Sequence, residues 1–298
     1  MTADHSYGSE TTVVHDSSGS VAWTRQVKSF ARRSLKELFR SKVAFFWSIG
    51  WPVMWYALTL VFFIEVPESV PASEQAEVMA RIKATNAISF GLFGAFTVSL
   101  VTFAKNFGSD LNEKRYRKFR SLPIAPSADL TGRFLAGFVM ATLSYLTVLV
   151  VGALDGGSFG LRSALSIPVV AVSLLLFCVV GMSLAVIIST VVNKGEYVTA
   201  ITNSVLIVLF FLTGFNGVTP SMVPESSQWL VNFAPNSLAA RLQIYYLTDF
   251  DVSESGLTPP ELPTDPKHLA VLVGFAVAFW LASVAIVRYR VYRGEAGE

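Results

Sequence analysis

Six stretches without a single Asp, Glu, Lys, Arg or His constrain this chain more than anything else in it: residues 43–64, 84–104, 134–154, 163–193, 197–224 and 269–287. Each is 19 to 31 residues long, and about 20 apolar residues are enough to cross the hydrocarbon core of a bilayer. Together they hold nearly half of the 298 residues, and only 15% of the chain is charged, against roughly a quarter in a soluble domain. The pattern predicts an all-α polytopic membrane protein with six transmembrane helices, at about 43–64, 84–104, 134–154, 166–192, 197–215 and 268–288. Little is left for a second folded domain outside the membrane.

Lys and Arg gather in cytoplasmic connections, so the segments between the stretches orient the chain. Seven lie within 1–42, and seven more (Lys105, Lys114, Arg115, Arg117, Lys118, Arg120, Arg133) lie between the second and third stretches. Lys194, Arg288, Arg290 and Arg293 fall on the same side. The opposite connections hold only Arg81, Lys83, Arg162, Arg241 and Lys267, and carry most of the acidic residues. Both termini are therefore expected in the cytoplasm of a multi-pass plasma-membrane protein. The bases serve topology first, so the net charge of +2 is no argument for nucleic-acid binding.

Residues 1–23 are polar and contain no apolar core of signal-peptide type, and are expected to form a disordered cytoplasmic tail. Over 24–42, Val27, Phe30, Ala31, Leu35, Leu38 and Phe39 recur at helical spacing among basic residues. That is the pattern of an amphipathic interface helix, either a surface anchor or a docking element. In the first span Trp47, Trp51 and Trp55 share one face with Pro52 among them, and that face is expected to be turned away from lipid. Gly91, Gly94 and Ala95 permit close helix approach in the second span.

Residues 217–247 hold Pro220, Pro224 and Pro235 around an apolar run, 226–240, too short to span. A re-entrant helix pair broken at Ala234 and Pro235 is expected there. The proline-rich acidic stretch 249–266 reads as an external loop, and 294–298 as a short cytoplasmic tail.

No charged residue falls within the six stretches, which disfavours intrinsic proton coupling. There is no P-loop signature, no G-x-S-x-G elbow and no histidine pair at metal-binding spacing; the single cysteine, Cys178, lies within the fourth apolar stretch. No catalytic and no metal site is expected, so energy for any transport enters from elsewhere. The charged segment 105–132, with Leu111, Tyr116, Phe119 and Leu122 set among bases and stopped by Pro123 and Pro126, is where it could enter.

That segment, running on into Leu130, Gly132 and Arg133, resembles the first cytoplasmic loop of the type 2 ABC exporter permeases. The order of the remaining parts is similar too, including Asn232 to Asn236 in the place of that family's Asn-Pro turn. Two positions differ: Lys114-Arg115 stands where the family often has Gly-Thr, and Ala234 precedes Pro235. The resemblance implies a permease subunit that pairs with a second permease copy and exports a substrate. It also implies a separate ABC ATPase subunit that binds ATP and Mg, this chain holding no cofactor itself. It places ATPase docking on 24–42 and 108–127, with Glu113, Arg117, Phe119, Arg120 and Pro123 as contact residues. It places the substrate pathway along the first, second and fifth spans, with Trp51, Trp55, Asn86 and Asn203 lining it. Two other readings are an ion-coupled secondary transporter, for which Glu65 and His268 at span ends are the candidate coupling residues, and a non-transporting membrane scaffold.

Overall fold

The computed structural model describes residues 18–66, 68, 70–121, 124–192, 195–212, 226, 233–249 and 266–293. Helices and their connections account for these residues, with no strand among them. In chain order the main helices are α1 (Ser18–Arg40), α2 (Phe46–Phe62), α3 (Gln75–Asn112), α4 (Arg115–Arg120), α5 (Pro126–Leu154), α6 (Ser166–Val191), α7 (Gly195–Leu212), α8 (Pro235–Leu247) and α9 (His268–Val291). Four of them, α3, α5, α6 and α9, are long and apolar enough to cross a membrane; the apolar parts of α2 and α7 are shorter.

Helix α3 is the centre of the bundle. It continues well beyond the charge-free residues 84–104 at both ends, because its flanking turns find polar partners on neighbouring helices. Small residues let those neighbours approach. A Cβ on Gly91 would lie 2.9 Å from the Tyr145 ring of α5, and one on Gly94 would meet the Ser144 hydroxyl and, at 2.9 Å, the ring of Pro52.

Pro52 explains that junction. Its ring nitrogen carries no hydrogen, so the carbonyl four residues back, on Ser48, loses its helical donor. The Ser144 hydroxyl donates to that carbonyl instead, and α2 takes a wider π turn over Phe46–Gly50 just before the proline. A backbone group orphaned inside the membrane is thus satisfied by a neighbouring helix. At the far end of the same three helices, Lys83 Nζ donates to the Asp155 carbonyl at 2.8 Å and pairs with its carboxylate at 3.1 Å, while the Tyr56 hydroxyl reaches the same carboxylate at 3.4 Å.

Proline also sets two helix starts. Pro126 and Pro235 each stand at the first turn, preceded by an extended alanine, since the missing amide costs nothing there. Helix α8 therefore begins at the expected break. The partner half of the re-entrant pair, 217–232, lies outside the described residues apart from Ser226, as do the external loop 250–265 and residues 1–17 and 294–298; Ser18 to Trp23, expected in the N-terminal tail, form the first turns of α1 instead.

The stripe of α1 packs on α5, although not as read from periodicity alone. Val27, Phe30 and Leu38 are buried, and a Cβ on Gly132 would fall 2.7 Å from the Val27 carbonyl. Phe39 is 52% exposed, because α1 ends at Arg40, one residue beyond it, and leaves α5 there.

Candidate functional site

Two arrangements stand out, and they share helices. The first is a buried ionic cluster at the end of the bundle where the basic segments meet. Asp110 near the end of α3, Asp129 and Arg133 in the first turns of α5, and Tyr116 in α4 converge there with 6% exposure or less. Arg133 bridges the two carboxylates: Nη2 lies 2.5 Å from Asp110 Oδ2 and Nε 2.7 Å from Asp129 Oδ1. Arg115 Nη1 is 2.5 Å from the other oxygen of Asp110, and Arg33 of α1 approaches it at 3.7 Å. The hydroxyls of Tyr116 and Tyr292 donate to Asp129 Oδ2 at 3.0 and 3.4 Å. Burial, outweighing the opposing pull of Arg133, pushes the Tyr116 hydroxyl well above its ordinary pKa, so it stays protonated and serves as a donor at any physiological pH.

Aromatic rings enclose the ions. Tyr116 makes edge contacts with Phe119 at 5.4 Å and Tyr292 at 5.6 Å, Phe119 meets Phe30 of α1 at 5.7 Å, and the Arg33 guanidinium lies 5.5 Å over the Phe119 ring. Trp23 Nε1 donates to Ser127 Oγ at 3.1 Å and the Ala125 amide to Gln26 Oε1 at 2.9 Å. Helices α1, α3, α4 and α5 and the end of α9 are therefore tied into one body. Buried charges this well paired add little net stability over apolar replacements, but they penalise every arrangement that separates them.

Of the residues singled out for docking, Glu113 is exposed and receives Ser109 Oγ at 2.8 Å and Arg115 Nη2 at 2.6 Å. Arg117 is exposed on α4, and Phe119 is half buried between α1 and Tyr116. Arg120 closes α4, but its side chain, like Pro123, lies outside the described residues. The charged run does not form one helix: Lys114 adopts the left-handed conformation, φ 56°, and breaks α3 from α4. A side chain there is strained. Lys114→Gly is expected to raise stability by up to about 1 kcal/mol and Lys114→Val to lower it, as read from thermal melting in detergent.

The second arrangement is a groove of about 680 Å3 between α2, α3 and α7. One wall is a ladder of Trp47, Trp51 and Trp55, with successive ring centroids 4.5 and 5.7 Å apart. The facing wall carries Phe90 and Phe93 of α3 and Phe210 of α7, the last two 4.4 Å apart. Thr97 and Thr102, in a π turn of α3, line it with Thr199 and Asn203 of α7. At its basic end the groove opens past Glu37, Ser41, Lys105 and Asn106.

Three of the four pathway candidates thus share one cavity. Asn86 does not: its amide donates to the Ile82 carbonyl at 2.9 Å within α3, and it is absent from the groove lining. Glu65 is exposed beyond α2, and His268 opens α9 with Nδ1 buried and unbonded.

In the sequence Lys105 reads as a topological base, Arg133 as a topological base at the end of the loop that carries the resemblance, and nothing singles out Tyr292 or Glu37. One local signal existed: Asp129 and Arg133 stand four apart where an apolar run begins, a helical ion pair where a free charge would be costly.

A model of the ABC-2 type transporter family matches residues 25–247, a stretch that holds the whole groove and all of the ionic cluster except Tyr292. No curated protein matches the chain.

Proposed function

This chain belongs to the ABC-2 type transporter family, the transmembrane permeases of type 2 ABC transporters, and on that premise we propose that it forms the export pathway of an ATP-driven transporter. Membership makes it a multi-pass membrane protein and a transport subunit that is not itself catalytic, and implies pairing with an ABC ATPase. Six spans cross the bilayer, the shorter α2 and α7 included, with both termini in the cytoplasm. A second permease copy completes the pathway. ATP and Mg bind to the ATPase subunit.

One observation carries this reading. The exposed faces of α1 and α4 belong to the same ionically locked body as the end of α3, which also lines the groove. Asn106, at the groove mouth, precedes Asp110 of the cluster by one helical turn, and Glu37 follows Arg33 by one turn on α1, bonded to it at 3.0 Å. A push on Arg117 and its neighbours would move the lining without any new contact having to form.

The test is purification of the tagged chain in mild detergent from its native membrane, with the bound proteins identified by mass spectrometry. A P-loop ATPase is expected near one to one, and Arg117→Glu with Arg120→Glu is expected to release it while the permease stays folded and dimeric. A chain that comes alone from intact preparations, or an ATPase indifferent to the double reversal, overturns the docking assignment.

A further inference from the structure

The groove also restricts what it can hold. Away from its mouth it is lined by aromatic rings, and its polar side chains among the lining residues there are the neutral Thr97, Thr102, Thr199 and Asn203. Four small neutral groups cannot replace the hydration shell of an ion, a sugar chain or a peptide backbone. The size suits one small molecule. Charge enters only at the mouth, from Glu37 and Lys105. These do not cancel: the Glu37 carboxylate is taken up by Arg33 at 3.0 Å, whereas no carboxylate among the described residues pairs with Lys105, which is exposed on α3.

We infer that the groove binds an amphipathic anion, its phosphate, sulfate or carboxylate held at the mouth by Lys105 and its apolar body lying along the tryptophan ladder. This rests on the permease reading and names its substrate class. A fixed ammonium at the edge of a low-dielectric groove favours the anion over an uncharged or cationic analogue with the same body, because only the anion gains a partner on losing water. Asn106 beside it adds an amide donor.

The chain alone, in nanodiscs of phosphatidylcholine, tests this. Trp51 is kept as the single tryptophan, the other five being replaced by phenylalanine, and its fluorescence is quenched with 12-doxyl-stearate, the methyl ester of that acid, or a doxyl-chain trimethylammonium. The anion is expected to saturate at a concentration at least about tenfold below either analogue, one charge-assisted contact of about 1.4 kcal/mol. Lys105→Met should abolish that preference and Lys105→Glu should transfer it to the ammonium. Thr97→Phe, which fills the groove, should remove the saturable component for all three probes.

Competition by pyrenebutyrate tells the source. Tighter binding than stearate marks a ring-bodied solute, weaker binding a lipid chain, and either upholds the proposal. Equal, unsaturable quenching by the three probes would mean bilayer contact only and overturn it. So would a disulfide between the Trp47→Cys residues of two copies that forms whether or not stearate is present, since the groove would then be the seat of the second copy. No ATPase is needed, so a negative result here leaves the co-purification test of the permease reading intact.

Discussion

Arg133→Met is expected to cost about 3–5 kcal/mol, the usual penalty for removing one partner of a buried ion pair. The reason lies in what stays behind. Asp110 keeps Arg115 at 2.5 Å, but Asp129, 1% exposed, is left with two tyrosine hydroxyls and no counter-charge. A buried carboxylate in that position takes up a proton or drags water in, and either opens the seam between α4, α5 and the end of α9. Thermal melting in detergent should show the loss, and adding Asp129→Asn should recover more than half of it, because the amide oxygen still accepts from both tyrosines without a charge to compensate. Arg133→Lys is expected to fall near the methionine variant, since one ammonium cannot span two carboxylates as a planar guanidinium does. A stability within about 1 kcal/mol of the parent for Arg133→Met would show that the cluster is wet and open.

The second large effect is expected at Gly132. A Cβ there would lie 2.6 Å from Phe30 Cβ, 2.7 Å from the Val27 carbonyl oxygen and 3.0 Å from the Ala31 amide nitrogen. Two of these are backbone atoms of α1, which no side-chain rotation can clear. Gly132→Val should therefore lever α1 off α5 at a cost of about 1–3 kcal/mol. Each 1.4 kcal/mol raises the detached population about tenfold, and trypsin cutting at Arg25, Lys28 and Arg32 reports it directly. Gly108→Ala on α3 is the matched control. Its nearest neighbour, Val198 Cγ1, would be 3.8 Å away, so the variant should cleave like the parent.

The two variants separate two ways of losing an ATPase partner. Gly132→Val removes α1 from the proposed docking surface with the cluster's carboxylates still paired, whereas Arg133→Met loosens α4 and α5 beneath it. If both release the partner while Arg117→Glu with Arg120→Glu does not, docking depends on the shape of this end of the bundle and not on its exposed charge.

Much of the architecture is written in local pattern. Charge-free length marks the membrane helices because lipid offers no partner to a charge. Proline marks the start of α8, whereas Pro126, which in the sequence reads as the stop of the charged segment, opens α5 eight residues before the expected span, because its missing amide is harmless in a first turn. Gly91 and Gly94 mark close approach because nothing larger fits against Tyr145 and Ser144. The tryptophan ladder, four residues apart at each step, is legible as one face of a helix, although only the fold shows that Phe90, Phe93 and Phe210 face it across a groove.

What periodicity could not reveal is equally specific. Asp110 and Arg133 are 23 residues apart, and they meet because the left-handed turn at Lys114 folds α4 back beneath α5. Tyr292 reaches Asp129 from 163 residues away, and Asn86, which the resemblance placed on the pathway, spends its amide on its own helix. By itself the sequence determined that this chain lives in a membrane, where the cores of its apolar helices lie and where its positive charge is concentrated, since each follows from what a residue does with lipid, water and its near neighbours. The tertiary structure alone decided which charges are buried together and which aromatics enclose a cavity, because partnership across helices depends on how they cross, and close approach between distant residues leaves no trace in their spacing.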